Sequence, residues 1–402
     1  MMQANPEPLP AVCIVVENLP VPLDRRVWQE ARTLRKAGYQ VSVICPKGKG
    51  FEKSYEELEG IEIYRYRLLW EGAGVLGYIA EYKVALAASL WLALKIYRKT
   101  RFRVLHACNP PDLFFLLGLF FKPFGVRFLF DHHDLCPELY LAKSGRKGFF
   151  HFLLRLAERC TFATAGVAIA TNESYREVAL VRGKMPPERT FVVRSCPDLA
   201  DITILPPRPD LKRGRKLLVV YLGVMGPQEG LDLLLLAVES IVRDRQRGDT
   251  FFVFIGDGTE RAHLRQLAKE KHLESWVEFP GRIPIEDLPP YLSTADVCVA
   301  PDPQNEMNDK STMNKILEYM AYGKPIVLFD LTEGRLSAGE AALYARPNDP
   351  ADFAEKITAL LDSDSLRREL GQAGRRRVEN ELNWDREKES LLAAYRAALK
   401  EV

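Results

Sequence analysis

The stretch DKSTMNKILEYMAYGKPIVLFD, from Asp309 to Asp330, joins a helix-like pattern to a short apolar strand through a Gly-Lys-Pro break. It follows the apolar stretch ADVCVAPD, so a strand, a helix and a second strand succeed one another, as in a parallel α/β sheet. A surface helix does not need the polar residues that crowd its first turns, which indicates a ligand site where the preceding strand ends. These residues are Ser311, Thr312, Asn314, Lys315 and Glu318.

The same alternation of strands and helices predicts two domains. Apolar strands such as AVCIVV, VSVIC, RVLHA and VRFLFD precede residue 195, and KLLVVYLG, FFVFIGDG and PIVLFD follow residue 215. Continuously apolar strands form parallel sheets covered on both faces, and the four prolines between the two sets indicate a linker. We predict an α/β fold with two Rossmann-like domains that face each other across a cleft: residues 1–195, a linker 196–215, residues 216–383, and a C-terminal helix 384–402 that packs back on the first domain.

Composition places the chain among globular proteins and argues against several kinds of partner. Its 402 residues, 47% hydrophobic and 27% charged, suffice for two domains. A net charge of +2 without a dense basic run argues against nucleic acid. Seven scattered cysteines without a CxxC spacing favour reduced thiols in a cytoplasm. The N-terminus MMQANPEPLP lacks the pattern of a signal peptide, and no apolar stretch reaches the ~20 residues of a membrane span.

Glycine turns in the second domain are further candidate ligand contacts. YLGVMGPQEGLD places Gly223, Gly226 and Gly230 between a strand and a helix, and FIGDG places Gly256 after the next strand. A helix N-terminus behind a glycine turn suits a phosphate. Glycines in such turns are required for steric reasons about as often as for ligand binding, so a structural role and a ligand-binding role both stay open here.

The helix of the opening stretch predicts a cradle for a sugar diphosphate. Ser311 or Thr312 would cap it, which leaves the N–H groups of its first turn and Lys315 for the diphosphate. Glu318, three residues beyond Lys315 on the same side, would accept hydrogen bonds from sugar hydroxyls. The alternative is a well-capped surface helix with a Lys/Glu pair.

In the first domain, polar residues cluster where a strand runs into the loop FLFDHHDLCPELY. Carboxylate, imidazole and thiolate are all metal ligands. Adjacent residues on a strand point to opposite sides, however, so two neighbouring histidines cannot readily reach one ion. We therefore predict no metal and a single histidine facing the cleft, with purely structural histidines as the alternative. The cluster consists of Asp131, His132, His133, Asp134 and Cys136.

The loop NLPVPLDRRVWQEA follows the first strand and adds charge at the mouth of the same predicted cleft. Its arginines would meet a phosphate or an anionic acceptor, because a guanidinium group binds such anions well. A solvated helix start is the alternative. The residues concerned are Asp24, Arg25 and Arg26.

Together these motifs resemble the retaining, nucleotide-sugar-dependent glycosyltransferases of family 4, which have the GT-B fold. The likeness covers nearly the whole chain and is most specific at ILEYMAYGKPIV, residues 316–327. It implies an enzyme of the hexosyltransferase type in which Glu318 holds the donor ribose and the His133–Asp134 step lies near the transferred sugar, while the turn with Arg282 and Ile283 touches the base. It also implies front-face attack by an acceptor hydroxyl, with the leaving phosphate as base and no cofactor or metal required.

Three positions depart from the pattern of that family. Lys310 stands where a first glutamate is usual, and Val224 and Glu229 stand where an arginine and a lysine usually neutralise the diphosphate. Rivals to a transferase are therefore a nucleotide-sugar-binding scaffold without turnover and a UDP-sugar epimerase of the same fold. In a transferase, neighbours would supply the missing charges: a carboxylate from Glu306 or Asp309, and positive charge from Lys310, Lys315 or Arg282.

The acceptor is predicted from two segments that mix apolar and basic residues, GRKGFFHFLLRLAERC at 145–160 and LWLALKIYRKTRFR at 90–103. Such segments either rest on anionic lipid or contribute their apolar residues to the core. The first interpretation predicts a peripheral position on the inner face of the cytoplasmic membrane. It also favours a lipid-linked sugar, rather than a free sugar, as acceptor in surface-polysaccharide or glycolipid biosynthesis.

Overall fold

The computed structural model describes residues 10–68 and 74–400, and the chain divides into two compact units. The first unit consists of Met1–Arg194 with Glu387–Val402, and the second of Ser195–Arg386. Residues 1–9, which make up most of the stretch assessed as a signal peptide, lie outside the described part of the chain.

The first unit is built on a mixed sheet of eight strands. These are β1 (Ala11–Val15), β2 (Gln40–Pro46), β3 (Tyr55–Leu58), β4 (Ile61–Tyr66), β5 (Val104–Cys108), β6 (Arg127–His132), β7 (Val167–Ala170) and β8 (Thr190–Val192). Their order is β3-β4-β2-β1-β5-β6-β7-β8, and only the β3–β4 pair is antiparallel. The helices before β8 are α1 (Arg25–Lys36), α2 (Gly74–Thr100), α3 (Phe115–Phe121), α4 (Cys136–Ser144), α5 (Phe149–Thr164) and α6 (Glu173–Glu177).

The second unit is built on a parallel sheet of six strands. These are β9 (Leu217–Leu222), β10 (Thr250–Ile255), β11 (Val277–Gly281), β12 (Val297–Ala300), β13 (Ile326–Phe329) and β14 (Ala342–Ala345), in the order β11-β10-β9-β12-β13-β14. Most of these strands are buried along their length, which explains why they are continuously apolar. The helices are α7 (Leu231–Glu239), α8 (Arg261–Glu270), α9 (Leu288–Thr294), α10 (Glu306–Lys310), α11 (Asn314–Ala321), α12 (Thr332–Ala338), α13 (Pro350–Asp362) and α14 (Asp364–Asn380).

Each sheet has a switch point, where successive strands are added first on one side and then on the other. In the first sheet β1 lies between β2 and β5, and in the second sheet β9 lies between β10 and β12. Loops that leave neighbouring strands at such a point diverge, and the crevice between them is where open α/β sheets bind ligands. The loops after β1 and β5, and those after β9 and β12, are therefore the places that position a site.

The last helix, α15 (Trp384–Lys400), belongs to the first unit from Glu387 onward. Its buried face includes Leu391, Ala394 and Tyr395. The Tyr395 hydroxyl lies 2.8 Å from Nδ1 of His106 on β5. The C-terminal helix thus packs on the first sheet, as the fold prediction requires.

The stretch expected to be a linker, residues 196–215, falls within the second unit. The backbone N–H groups of Leu205 and Arg208 donate to the hydroxyls of Ser293 and Thr294 at 2.9 and 2.8 Å. These bonds tie the stretch to α9, which explains why it groups with the second sheet despite its prolines.

Candidate functional site

A buried charged cluster lies at the switch point of the second sheet. Nζ of Lys315 donates to Oε2 of Glu229 at 2.7 Å and to Oδ1 of Asp302 at 2.9 Å. It also lies 4.9 Å from the centre of the Tyr221 ring, whose hydroxyl is 2.9 Å from the same Glu229 oxygen. We call these four residues the Lys315 cluster. Its members come from four elements: Tyr221 from the end of β9, Glu229 from the turn before α7, Asp302 from the loop after β12, and Lys315 from the first turn of α11.

The charges of the Lys315 cluster nearly cancel. Burial opposes ionisation of Glu229, but the nearby Lys315 ammonium group lowers the pKa of that carboxyl below its usual value. Burial, opposed by Lys315 and reinforced by Glu229, raises the pKa of Asp302 to about 6. Oδ2 of Asp302 has no hydrogen-bond partner within the described part of the chain. The cluster is thus close to neutral below about pH 6 and carries one negative charge above it.

The glycine turns are required where three loops of the second unit meet. A Cβ atom at Gly256, where φ is +141°, would lie 1.7 Å from the carbonyl oxygen of Gly223. A Cβ atom at Gly230 would lie 2.2 Å from the carbonyl oxygen of Pro301. At Gly223 it would approach the Tyr221 hydroxyl to 2.6 Å, whereas at Gly226 it would meet only the flexible end of Gln228. Close packing therefore explains the glycines at 223, 230 and 256, and Gly223 also keeps the space beside Lys315 open.

The prediction that Ser311 or Thr312 caps the helix with Lys315 is wrong. That stretch forms two helices, α10 and α11, and Met313 is the N-cap residue of α11 without a side-chain cap bond. The Ser311 hydroxyl instead donates to the carbonyl of Met307, one turn back along α10, at 2.7 Å. Met313 has no side-chain oxygen, so the cap position supplies no acceptor to the N–H groups of the first turn of α11.

The acidic residues expected to replace the missing glutamate, Asp309 and Glu306, each contact a nearby residue of the second unit. Asp309 accepts hydrogen bonds from the N–H and the hydroxyl of Thr332 at 2.9 and 3.0 Å, which fixes the start of α12. Glu306 lies 3.2 Å from Nζ of Lys310 in an exposed pair. The predicted compensation by these carboxylates stays a prediction. The nearest acidic groups to Lys315 are Glu229 and Asp302 instead.

The remaining predicted donor contacts lie around the same end of the sheet. Asn314 is exposed at the start of α11, and Glu318 is half-buried one turn later. Arg282 is exposed and Ile283 packs against the hydrophobic core. The N–H of Gly256 donates to the carbonyl of Gly281 at 3.0 Å. The turn expected to touch the base thus adjoins the Gly256 loop.

In the first unit, His133 is held by a second set of polar residues at the ends of β5 and β6. Its backbone N–H and that of Asp134 donate to Oδ1 of Asn109 at 2.7 and 3.2 Å, and Nδ2 of Asn109 donates back to the Asp134 carbonyl at 2.7 Å. Nε2 of His133 lies 2.9 Å from Nε of Arg26 and 2.5 Å from Oδ2 of Asp131. We call His133, Asn109, Arg26 and Asp131 the His133 cluster.

Two neighbours, Arg26 and Asp131, lie against Nε2 of His133. Nε of Arg26 can only donate, so Nε2 of a neutral His133 accepts from it, whereas a protonated Nε2 donates to Asp131. Burial opposes ionisation of Asp131, but Arg26 and His133 together hold its pKa well below the usual value. The side chain of His133 is 15% exposed, while that of Asp131 is fully buried. His133 is thus a fixed imidazole with one edge open.

The predicted phosphate contact of Arg26 needs correction. Its side chain is only 7% exposed, and Nη2 pairs with Oδ1 of Asp131 at 2.8 Å and with Oε1 of Glu30 at 3.2 Å. Nη1 donates to the carbonyl of Val193 at 2.7 Å. Asp24 accepts from the N–H of Val27 at 3.1 Å and caps α1, and Arg25 is exposed on that helix. The exposed Arg25 fits either interpretation of this loop, whereas the buried Arg26 fits neither a solvated helix start nor a phosphate contact.

His132 points away from His133, as alternation along a strand requires. It is fully buried among the rings of Phe130, Phe162 and Tyr175, each 5.3 Å away. Burial lowers the pKa of His132 to about 3, so the ring is neutral. One histidine of the pair is therefore structural and the other is accessible.

Ligand atoms of His106, Cys108 and Asp131 lie within 4.8 Å of one another. These residues do not fit a metal ion well. Both carboxylate oxygens of Asp131 already accept from Arg26, and burial raises the pKa of the Cys108 thiol well above its usual value, which disfavours the thiolate that would bind a metal. This group shares only Asp131 with the cluster considered as a metal site in the sequence.

Three site residues were missed in the sequence: Asn109, Asp302 and Glu229 in its role as partner of Lys315. Asn109 follows β5 directly, and Asp302 is separated from β12 by one residue. A polar residue just beyond the carboxyl end of a central parallel strand is the signal that could have found the first two. The third follows from no sequence pattern, because the partner lies 86 residues away.

Comparisons with known proteins place the chain in a family. The model "Glycosyl transferase 4-like domain" matches residues 23–196, and the model "Glycosyl transferases group 1" matches residues 216–363. The D-inositol 3-phosphate glycosyltransferase of Geodermatophilus obscurus is 31% identical over 232 residues, which cover 54% of this chain and 49% of that protein. The matches span about half the length of the first curated relatives.

Solved structures resemble the whole chain. Sucrose-phosphate synthase from Thermosynechococcus elongatus has a TM-score of 0.76 at 20% identity and covers 96% of this chain and 98% of its own. HepE of Anabaena in complex with UDP and glucose has a TM-score of 0.74 at 14% identity, with coverages of 97% and 100%. The chain belongs to the GT4-type glycosyltransferases with the GT-B fold, which confirms the resemblance and the fold class predicted from the sequence.

Helices long and apolar enough to traverse a bilayer do not occur among the residues that the structure describes.

Proposed function

We propose that the protein transfers a sugar from a nucleotide-diphosphate sugar to an acceptor hydroxyl, with retention of the anomeric configuration. The observation that carries this proposal is the Lys315 cluster, which lies at the switch point of the second sheet beside the first turn of α11. Family membership supports sugar transfer. Solved structures of HepE with UDP and with UDP-glucose support a nucleotide-sugar donor.

In this proposal the diphosphate binds the N-termini of α7 and α11. The first N–H groups of a helix lack intrahelical partners, and the helix dipole favours an anion there. Lys315 is already paired with Glu229 and Asp302, so the backbone N–H groups supply much of the attraction. Glu318, one turn along α11, accepts hydrogen bonds from the ribose hydroxyls, and the turn with Arg282 and Ile283 contacts the base.

The proposed reaction needs little covalent chemistry from the protein. The acceptor oxygen forms a bond to the anomeric carbon on the face from which the phosphate oxygen departs, and the acceptor proton passes to that phosphate. Preorganised dipoles stabilise the charge that develops on the leaving diphosphate. His133, with Asp134 beside it, contacts the sugar in transfer, and no metal or other cofactor is part of the scheme.

The acceptor in this proposal is a sugar or a lipid-linked sugar in the synthesis of a cell-surface polysaccharide or glycolipid. Support comes from the first unit, where the apolar residues of segment 145–160 are not in the core. Phe149 is 71% exposed and Phe152 is 59% exposed. A surface of this kind suits an acceptor that is presented at a membrane.

Donor affinity is expected to weaken as the pH rises through about 6, because Asp302 then ionises. One added negative charge close to the diphosphate should reduce affinity by about tenfold. Asp302→Asn keeps an oxygen for Lys315 and should bind equally well at pH 5 and pH 7.5. Isothermal titration with a nucleotide sugar, whose phosphates are esterified and do not titrate in this range, measures both proteins. A wild-type affinity that is constant over this range would contradict the assignment.

Glu318→Gln is expected to weaken binding of the correct nucleotide sugar by about tenfold to a hundredfold, since hydrogen bonds to a charged acceptor contribute about 1.5–3 kcal/mol. Thermal shifts with a panel of nucleotides and nucleotide sugars measure this, because a ligand at a hundred times its Kd stabilises by about 2.7 kcal/mol. Glu355→Gln, at an exposed glutamate on α13, is the matched control and should respond as wild type.

The outcomes of that panel separate the proposal from its rivals. A shift for one base and one sugar that Glu318→Gln reduces and Glu355→Gln does not would support the donor site. Absence of a shift with every nucleotide would contradict it. A shift without turnover would favour a binding scaffold, and interconversion of two UDP-sugars without an acceptor would favour an epimerase.

A further inference from the structure

We propose that an apolar and basic face of the first unit, formed by α3 and the N-terminal half of α5, docks on an anionic lipid surface. The face is called the α3–α5 face. The proposal adds to the proposed function the membrane surface at which the protein would meet its acceptor. Only this connection to the acceptor rests on the proposed function. The docking itself follows from the exposure and charge of the residues below.

Helix α5 turns its apolar residues outward. Phe149, Phe152, Leu153 and Leu156 recur at helical spacing on one side and are all exposed. The buried side of the helix carries Glu158, Thr161 and Phe162 instead. The N-terminal half of α5 thus has the reverse of the pattern expected for a surface helix that covers a core.

The neighbouring helix α3 extends this apolar surface. It packs against α5 and exposes Leu116, Leu119 and Phe120, while Phe124 just after it is 54% exposed. Its inward side, with Leu117 and Phe121, is buried. Single exposed apolar side chains are ordinary, but two packed helices that both direct several large apolar side chains to solvent indicate an interaction site.

Charge identifies the partner. The segments 113–127 and 143–159 contain one acidic residue, Glu158. That carboxylate is buried and bonded to Arg182 at 2.5 Å, so it does not offset the positive charges at the surface. The basic residues are Lys122, Arg127, Lys143, Arg146, Lys147, Arg155 and Arg159, in a chain whose net charge is only +2.

An anionic bilayer fits both properties at once. Aromatic and leucine side chains enter the boundary between headgroups and acyl chains, and lysine and arginine attract anionic lipid within a Debye length. A second copy of the chain would place the same positive charges against each other, which costs energy in a symmetric interface. The α3–α5 face therefore suits lipid better than self-association.

The experiment is sedimentation of the full chain with vesicles of phosphatidylcholine alone and with 30% phosphatidylglycerol, a composition of roughly one anionic lipid in three. We expect binding only to the anionic vesicles, weakened by salt because surface charges are screened. Phe149→Ser with Phe152→Ser should lower the partition coefficient about tenfold or more. Ile204→Ser with Leu336→Ser removes apolar side chains of similar exposure in the second unit, at 56% and 53%, and should have no effect.

Three outcomes would overturn the proposal. They are absence of vesicle binding, equal binding to neutral vesicles, and binding that the phenylalanine variants do not change. If sedimentation equilibrium shows that the phenylalanine pair instead breaks a dimer, the face is a subunit interface. No nucleotide enters this assay, so its failure is distinct from failure of the donor site, which the thermal-shift panel reports.

Discussion

Replacing Arg26 by methionine is expected to lower the free energy of unfolding of the first unit by about 3–5 kcal/mol. The substitution leaves the ionised Asp131 carboxylate buried without its cation and removes the donor to the carbonyl of Val193. Burial, with added repulsion from Asp131, raises the pKa of Glu30 well above its usual value, and a carboxyl group cannot replace the positive charge that is lost. Arg26 is thus a structural residue that also orients His133.

Hydrogen exchange during urea denaturation measures this loss and localises it to β6 and α1. The adjacent Arg25→Met is the control, since Arg25 is exposed, and surface substitutions usually change stability by less than about 0.5 kcal/mol. If Arg26→Met unfolded like wild type but lost affinity for an anionic ligand, Arg26 would be a ligand contact after all.

His133→Ala is expected to lower kcat for sugar transfer by about 100-fold to 1000-fold, with KM for the donor changed by less than about threefold. His133 is the least buried member of its cluster, and Asn109, Arg26 and Asp131 fix its backbone and its Nε2 edge. A side chain held in this way contributes to the transition state more than to ground-state binding.

Initial rates with the donor found by thermal shift provide the measurement for His133. His263→Ala, at an exposed histidine of the second unit, should leave both constants unchanged. A His133→Ala enzyme with a wild-type kcat would remove His133 from the reacting centre, whereas a raised KM alone would make it a binding residue.

The apolar strands and the two α/β halves could be predicted because parallel, buried strands leave a clear hydrophobic signal. β3 was not predicted, since YEEL is a polar edge strand without that signal. The break at residues 311–313 was also missed. A run of polar residues with Met313 in it reads as one helix, and nothing local shows that the Ser311 hydroxyl bonds back to Met307.

Buried charges account for most of the errors at the site. Arg26 lies in a polar loop and was expected at the surface, but its partner Asp131 is 105 residues away. The pairing of Lys315 with Glu229 and Asp302 is likewise set by the sheet and not by spacing. This pairing gives Glu229 a structural role, although the pattern described above has a positive residue at that position. Its carboxylate fixes the position of the Lys315 side chain.

For segment 145–160 the sequence left two interpretations open. Helical periodicity identifies one apolar side but does not say which way that side faces. The structure decides that Phe149 and Phe152 face solvent, because Phe162 and Thr161 on the other side anchor the helix to the core. The membrane interpretation thereby becomes a proposal with a defined surface.

The most direct test of the central claim is release of nucleoside diphosphate from the donor in the absence of acceptor. A transferase that binds its donor at the Lys315 cluster should hydrolyse it slowly, at a rate above the spontaneous background. Glu318→Gln should lower this rate about fivefold to fiftyfold at a donor concentration near the wild-type KM, as its weaker binding requires. A donor that binds tightly but is never consumed, or that is converted into a second nucleotide sugar without release of diphosphate, would contradict the account.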